Sequence, residues 1–273
     1  MKERKDSFRF KIGSLECLVI SDGMIRTPGV HKPDDLRPAQ IDVMCLLVRT
    51  GEHTVLIDAG WGVGSEPNAG KLVQNLQAEG IQCEEIDTII LSHGHPDHIG
   101  GITDAEGKLV FPNARYIMSK KEWEFWVSDP DLSQLEVPEE SVITTLVAAL
   151  RRNLTPIKDK LDLIDGETRI MPGIDIIEAP GHTIGHIVPL ISSGTEKLLC
   201  ICDLVQQPLE FERPDLYRAY DMVPEQAMNT RTQILSRFYK PNVLVFACHF
   251  SFPGLGHIIQ KDGMWFWQPI EVK

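Results

Sequence analysis

Three histidines and an aspartate lie within six positions of the stretch LSHGHPDHIGG. The stretch follows the apolar run IDTIILS, which predicts a short strand, so these side chains lie on a loop at the end of a strand. Because alternate residues of an extended segment share a face, His93 and His95 can point the same way, whereas Asp97 and His98 diverge. Imidazole and carboxylate groups are ligands of zinc and its first-row neighbours. The loop therefore predicts ligands for one metal ion, with a second ion nearby.

Further ligands are expected where other apolar stretches end, because one loop offers too few. His182 lies in the glycine-flanked turn EAPGHTIGH, Asp203 closes the apolar stretch LLCICD, and His249 closes VLVFACH. Each of these residues alone is more often structural than functional, since most buried polar groups simply have a hydrogen-bond partner. Three polar residues that each end a predicted strand nevertheless indicate one site at one edge of a sheet. The remaining candidates His186 and His257 are expected to be structural.

The composition is that of a globular protein: of 273 residues, 42% are hydrophobic and 24% are charged. A net charge of −12 argues against a general nucleic-acid-binding protein, whose surface would be basic. No apolar run approaches the roughly 18 residues of a membrane helix, and no apolar signal core follows the charged N-terminus. We therefore expect no membrane partner and a cytoplasmic location. The six cysteines contain no CxxC pair and are expected to be reduced core residues.

Strand patterns occur in both halves of the chain, and helices are predicted between them. Ser119 and Glu122 have the spacing of a capping box, which predicts that a helix begins there, and the pattern of residues 133–160 is mainly helical. The stretch PEQAMNTRTQILSRFY predicts another helix. No internal repeat or linker divides the sequence, so one α/β domain of layered sheets and helices is the simplest interpretation. Strand alternation also predicts that Cys202 and Cys248, each one residue before a proposed ligand, face the core rather than the metals.

The motif H-x-H-x-D-H, the turn PGHTIGH, the later strand-end aspartate and histidine, and the stretch LIDAG together resemble the metallo-β-lactamase superfamily over nearly the whole chain. The resemblance implies a four-layer αββα sandwich in a single domain of residues 1–273, with a helical insertion at roughly 119–160. It also implies a centre of two metal ions with these ligands: His93, His95 and His182 for one ion, Asp97, His98 and His249 for the other, and Asp203 bridging both. Asp58 in LIDAG would either orient a ligand or cap its own turn.

Hydrolysis with two divalent ions is the chemistry that the resemblance implies, with zinc ranked before iron, manganese and cobalt. Each ion lowers the pKa of bound water, so a hydroxide that bridges the two metals can attack an electrophilic carbonyl or phosphoryl centre. Asp97 and Asp203 are the catalytic carboxylates in this scheme, and Asp97 can also pass a proton to the leaving group. No serine or cysteine nucleophile is required.

The substrate class is predicted from a narrower similarity. The long gap between His98 and His182 and the tail HFSFPGLGHI resemble the branch that contains methyl parathion hydrolase and a group of acyl-homoserine lactonases. This similarity predicts a small-molecule substrate, first of all an acyl-homoserine lactone or a related ester. An organophosphate triester hydrolase is the alternative within hydrolases, and a non-catalytic metal-binding or sensor protein and a di-iron redox protein are alternatives from other classes. Relatives are often homodimers, so a homodimer is one expected assembly.

Four aromatic residues are predicted to border the substrate: Trp61, Trp123, Trp126 and Tyr220. Trp61 follows LIDAG, and Trp123 and Trp126 share one face of the predicted helix at positions i and i+3. Core packing is the competing interpretation of the tryptophans. Tyr220 can supply a hydroxyl group to a developing oxyanion, and a position on the loop surface is its competing interpretation.

Overall fold

Two mixed β-sheets form the centre of the protein. A computed structural model describes residues 5–27, 39–62, 66–128, 132 and 140–272. The described strands of the first sheet are, in spatial order, β1 (Ser7–Ile12), β2 (Leu15–Thr27), β3 (Ala39–Arg49), β4 (Thr54–Ile57), β5 (Thr88–Ile90), β6 (Arg115–Ser119) and β7 (Leu161–Ile164). Those of the second sheet are β8 (Thr168–Met171), β9 (Ile174–Glu178), β10 (Ile187–Ser193), β11 (Glu196–Cys200), β12 (Val243–Phe246), β13 (Leu255–Lys261) and β14 (Met264–Pro269).

Helices lie on the outer faces of both sheets or in the loops at their edges. They are α1 (Leu72–Ala78), α2 (Pro96–Ile99), α3 (Lys120–Val127), α4 (Glu140–Leu154), α5 (Leu209–Glu212) and α6 (Pro224–Phe238). Within the predicted helical stretch 133–160, residues 133–139 lie outside the described part of the chain, and α4 followed by a 3-10 turn covers the rest. None of the described helices is long and apolar enough to cross a membrane.

Three apolar layers hold the sheets and helices together, and strand alternation creates them. Along β2, Cys17 and Val19 face the second sheet, whereas Leu18 and Ile20 face the helices. The outer face of the first sheet packs against α1, α3 and α4, and that of the second packs against α5 and α6. Strands that are buried on both faces show continuous apolar runs, as the sequence does here. The predicted four-layer αββα sandwich is confirmed.

Helix α3 begins directly after Ser119, as the sequence predicts, but the predicted capping box is wrong. Ser119 makes no side-chain hydrogen bond to the start of the helix. Glu122 is turned into the protein, with none of its surface exposed (0%), and its carboxylate accepts hydrogen bonds from two loops. Several buried donors are stronger partners for a carboxylate than one N–H at a solvent-facing helix end, so tertiary contacts override the local preference. That α3 and α4 belong to an insertion stays a prediction.

Four strand ends bring Asp58 and most of the predicted ligands together, and His182 joins them from the loop between β9 and β10. Strands β4 and β5 pair in parallel, as do β11 and β12, so the carboxyl ends of each pair lie at the same edge of a sheet. The loops that follow these four strands begin after Ile57, Ile90, Cys200 and Phe246. Loops at the carboxyl ends of parallel strands are the usual place for a ligand site in α/β proteins.

Candidate metal centre

Three histidines from two loops form a group that we call the first cluster: His93, His95 and His182. The first two follow β5, and His182 lies on the loop between β9 and β10. His182 Nε2 lies 3.0 Å from His95 Nδ1 and 3.1 Å from Asp203 Oδ2, and His93 Nε2 lies 3.8 Å from the same oxygen. One donor atom of each of these four buried residues lies within 4.8 Å of the others. The donors therefore surround one point, as the ligands of a single ion would.

Two histidines and an aspartate form the second cluster: Asp97, His98 and His249. The Nε2 atoms of His98 and His249 each lie 3.0 Å from Asp203 Oδ1. Asp97 Oδ2 lies 3.4 Å from His249 Nε2 and 3.6 Å from His98 Nε2. Asp97 and His98 lie on the short helix α2 rather than on the predicted loop, because Pro96 is well suited to the first position of a helix. His98 nevertheless stays close to the first cluster, because the ring centroids of His93 and His98 are 4.1 Å apart.

Asp203 connects the two clusters, because its two carboxylate oxygens face different histidines. Oδ2 faces the first cluster and Oδ1 faces the second. The residue lies in the 3-10 turn Cys202–Leu204, which follows β11, and Gln206 donates a hydrogen bond from Nε2 to Asp203 Oδ2. A carboxylate that presents one oxygen to each group of donors has the geometry of a bridging ligand.

The donor set fits divalent metal ions of the zinc type. The Nε2 atoms of His93 and His98 are buried and have no hydrogen-bond partner among the described residues. Buried polar atoms without a partner are rare and costly, so these nitrogens indicate a ligand. Burial lowers the pKa of His93 and His95 well below the ordinary value for histidine, and neighbouring histidines lower it further. Both rings are therefore neutral, which is the form of imidazole that binds a metal.

Asp58 holds His98 in place from outside the second cluster. Its Oδ2 atom accepts a hydrogen bond from His98 Nδ1 at 2.7 Å, and its Oδ1 atom accepts one from the backbone N–H of Ser92 at 2.7 Å. An imidazole that is fixed at Nδ1 presents Nε2 to the cluster. The sequence left open whether this carboxylate orients a ligand or caps its own turn; its side-chain hydrogen bonds are to Ser92 and His98, which both lie on the loop after β5.

The sequence does not predict two further partners of the ligand histidines. Asp221 accepts a hydrogen bond from His182 Nδ1 at 2.8 Å and another from the backbone N–H of Arg218 at 2.8 Å. His249 Nδ1 donates to the backbone carbonyl of Asp42 at 2.8 Å. Asp221 lies in an irregular stretch whose sequence has no period to locate it. A backbone carbonyl carries no signal in the sequence at all.

Glu122 connects the two loops that carry the first cluster. Its Oε1 atom accepts hydrogen bonds from Gly94 N at 2.8 Å and Trp126 Nε1 at 2.6 Å. Its Oε2 atom accepts hydrogen bonds from Thr183 Oγ1 at 2.7 Å and Gly185 N at 2.8 Å. A Cβ atom at Gly185 would lie 2.3 Å from Glu122 N, and one at Gly94 would lie 2.4 Å from Trp126 Nε1. Glycine at both positions therefore allows α3 to approach the two loops.

The four aromatic residues predicted to border the substrate lie in different environments. Trp126 is fully buried (0% exposed) in the core beneath the first sheet, so it does not line an open pocket. Trp61 and Trp123 are partly buried and pack against apolar clusters. Tyr220 is half-buried, and burial together with the carboxylate of Asp97 raises the pKa of its hydroxyl.

The family of the chain follows from a comparison with known proteins. A family model described as the metallo-β-lactamase superfamily matches residues 40–249, a range that includes both clusters and Asp203. The chain belongs to the metallo-β-lactamase superfamily. The resemblance inferred from the histidine motif is thereby confirmed.

Solved structures and curated relatives of this superfamily extend the comparison. AidC, a dizinc quorum-quenching lactonase solved in complex with a product, is 30% identical with a TM-score of 0.90, covering 98% of this chain and 100% of AidC. The hydrolase AbOPH is 28% identical with a TM-score of 0.87, covering 100% of both chains. The N-acyl homoserine lactonase AiiA of Bacillus thuringiensis subsp. kurstaki is 23% identical over 231 residues, which cover 77% of this chain and 81% of AiiA. The prediction of a metal-dependent hydrolase is confirmed by the family and these relatives.

Two other histidines of this member of the metallo-β-lactamase superfamily are predicted not to hold metal. His186 Nε2 accepts the backbone N–H of Asp203 at 3.3 Å, and His186 Nδ1 donates to the carbonyl of Ala179 at 3.0 Å. Burial lowers the pKa of His186 to about 4, so the ring is neutral. Both of its ring nitrogens already take part in these hydrogen bonds. His257 Nδ1 donates to the carbonyl of Val243 at 3.0 Å. We expect His186→Ala and His257→Ala to keep the metal content of the unaltered protein in elemental analysis.

The matched control for these variants is His182→Ala, which we expect to lose about one ion per chain because a ligand is removed. His186→Ala should also lower the free energy of unfolding by about 1–3 kcal/mol, because the N–H of Asp203 loses its acceptor. If either His186→Ala or His257→Ala lost an ion, the ligand set would have to be revised.

Proposed function

We propose that this protein hydrolyses acyl-homoserine lactones with the aid of two divalent metal ions. The carboxylate of Asp203 carries the proposal, since Oδ1 lies 3.0 Å from His98 Nε2 and His249 Nε2 while Oδ2 lies 3.1 Å from His182 Nε2. A carboxylate in this position is suited to two ions rather than one. The likeness to the dizinc lactonase AidC over 98% of this chain supports the substrate class.

The proposed ligands are those implied by the histidine motif and its distant partners. They are His93, His95 and His182 for one ion, Asp97, His98 and His249 for the other, and Asp203 for both. Zinc is the proposed metal, because imidazole and carboxylate donors suit it, and iron, manganese and cobalt are the alternatives. Asp58 would keep His98 oriented towards its ion.

The side chains around the proposed ions have separate roles in the reaction. When bound, a pair of divalent ions supplies water of lowered pKa and polarises the carbonyl oxygen of the lactone. Asp97 is the most exposed of the seven proposed ligands, at 9%, and would pass a proton to the oxygen released when the ring C–O bond breaks. Burial and Asp97 raise the pKa of Tyr220, so its hydroxyl stays protonated at neutral pH and can donate to the oxyanion.

We also propose the domain organisation and the substrate-bordering residues that the sequence predicts. Residues 1–273 would form one domain in which the stretch at roughly 119–160 is a helical insertion beside the first cluster, and Trp61, Trp123 and Tyr220 would border the substrate. The small-molecule substrate is supported by the product bound in AidC. The absence of nucleic-acid and membrane partners, the cytoplasmic location and the homodimer stay predictions.

Metal analysis beside a substrate panel tests the proposed function. We expect about two ions per chain and turnover of an acyl-homoserine lactone. The acid released on ring opening measures this turnover. An aryl ester, a paraoxon-type triester, a thioester and a cephalosporin complete the panel, and chelated protein with and without added zinc is the control. Preference for the triester would favour the organophosphate alternative. Less than about one ion per chain after reconstitution would refute the two-metal site.

A further inference from the structure

The thiol of Cys248 lies beside the second cluster. The thiol donates a weak hydrogen bond to Asp203 Oδ1, with Sγ 3.9 Å from that oxygen. It forms a group with one donor atom each of His98, Asp203 and His249, and all of these atoms lie within 4.8 Å of one another. Cys248 packs in the core between the sheets, as the sequence predicts, but it also reaches the site, which the sequence prediction excludes. Strand β12 ends at Phe246, so Cys248 lies in a turn where strand alternation no longer applies.

A second observation points to a ligand at the same place. His98 is 2% exposed, and its Nε2 atom has no hydrogen-bond partner among the described residues, although it lies 3.0 Å from Asp203 Oδ1. The ring cannot turn this nitrogen elsewhere, because Asp58 holds Nδ1 at 2.7 Å. A fixed and buried ring nitrogen, a carboxylate oxygen and a sulfur around one point are the donor set of a transition-metal ion.

Cys202 provides an internal comparison for Cys248. It is also buried, also lies in the core between the sheets, and also precedes a proposed ligand by one residue. Its Sγ atom points towards the carbonyl of Cys200 at 3.6 Å, and it belongs to neither group of metal-binding donors found among the described residues. Position beside a ligand in the sequence therefore does not by itself bring a thiol to the site.

We propose that Cys248 Sγ is a further ligand of the ion held by the second cluster. The inference rests on the proposed two-metal site and adds sulfur to its nitrogen and oxygen donors. A thiolate favours zinc over manganese and magnesium, which prefer oxygen ligands. To hold the ion through sulfur, Cys248 would release its thiol proton to solvent. The two ions are then held by different donor sets, and the second site is the more selective for soft metals.

Cobalt-substituted protein tests this inference without an activity assay. A sulfur ligand adds a sulfur-to-cobalt charge-transfer band in the near ultraviolet to the visible bands that cobalt(II) shows with nitrogen and oxygen ligands. We expect the band in the unaltered protein and in Cys202→Ala, and its loss in Cys248→Ser and Cys248→Ala. The affinity of Cys248→Ser for zinc should fall by about 10-fold or more, with little change for manganese.

The possible results separate this inference from the proposed function. Two bound cobalt ions without the charge-transfer band in the unaltered protein would overturn sulfur ligation and leave the two-metal hydrolase intact. A protein that binds no cobalt would overturn the two-metal site on which both proposals rest. A band that persists in both Cys248 variants would assign the sulfur to another residue. Cys248→Ser keeps the size of the side chain, and circular dichroism verifies that each variant is folded.

Discussion

Replacing Asp203 with alanine is expected to remove bound metal and hydrolytic activity together. The carboxylate lies between the two clusters, and its loss leaves the histidines of both without the negative charge that they share. We expect the metal content to fall below about one ion per chain and kcat/KM for the lactone to fall by roughly 10³-fold or more, because a central electrostatic stabiliser is lost. Elemental analysis of dialysed protein and the lactone assay measure the two effects on one preparation.

Two further variants make the Asp203 experiment specific. Asp203→Asn keeps the shape of the side chain and removes the charge, so we expect it to resemble the alanine variant. Asp175→Ala is the matched control. Asp175 on β9 forms an ion pair at 2.8 Å with the exposed side chain of Arg169 on β8. Such a pair contributes about 0–1 kcal/mol to stability, so metal content and activity should be unchanged. Retention of about two ions by Asp203→Ala would exclude a bridging role.

Replacing Glu122 with glutamine is expected to weaken both metal binding and the fold. The carboxylate accepts four hydrogen bonds from the loops of the first cluster and from α3. The amide of glutamine turns one acceptor atom into a donor, so two of the four donors lose their partner. We expect the free energy of unfolding to fall by about 3 kcal/mol. We expect the affinity for metal to fall by about 10–100-fold, because the ligand loops are less well oriented.

The control for Glu122 lies on the same helix. Glu124 is exposed and forms an i,i+4 ion pair with Lys120 at 3.8 Å, so Glu124→Gln should change the free energy of unfolding by about 0.5 kcal/mol or less. Urea unfolding of chelated protein separates the effect on the fold from the effect on metal affinity, which a competing chromophoric chelator reports. Unchanged metal affinity in Glu122→Gln would mean that the two loops hold the first cluster without help from α3.

The sequence predicts the candidate ligands better than it predicts the residues that hold them in place. His93, His95, Asp97 and His98 can be found because they are close together in the chain and follow a strand. The four-layer αββα arrangement follows from the resemblance to the superfamily, and the apolar runs of the strands agree with burial on both faces. For the histidine motif the decisive information is local, and a single sequence contains it.

The contacts that the sequence does not predict all join distant parts of the chain. Glu122 reaches two loops that are remote in sequence, and its local spacing to Ser119 is that of a capping box which does not form. Asp221 supports His182 from an irregular stretch. The position of Cys248 depends on whether β12 ends at Phe246 or two residues later, and strand boundaries are the least reliable part of any sequence-based prediction.

The distribution of the ligands along the chain has a consequence for how the protein acquires its metals. The first sheet and its loops carry His93, His95, Asp97 and His98, whereas His182, Asp203 and His249 come from the second sheet. Each candidate site therefore takes half of its donors from one sheet and half from the other, and neither is complete until the two sheets have packed together. Ions held at these sites would link the two sheets. At a free metal concentration about 1,000 times Kd, each ion would add about 4 kcal/mol to the stability of the assembled sheets.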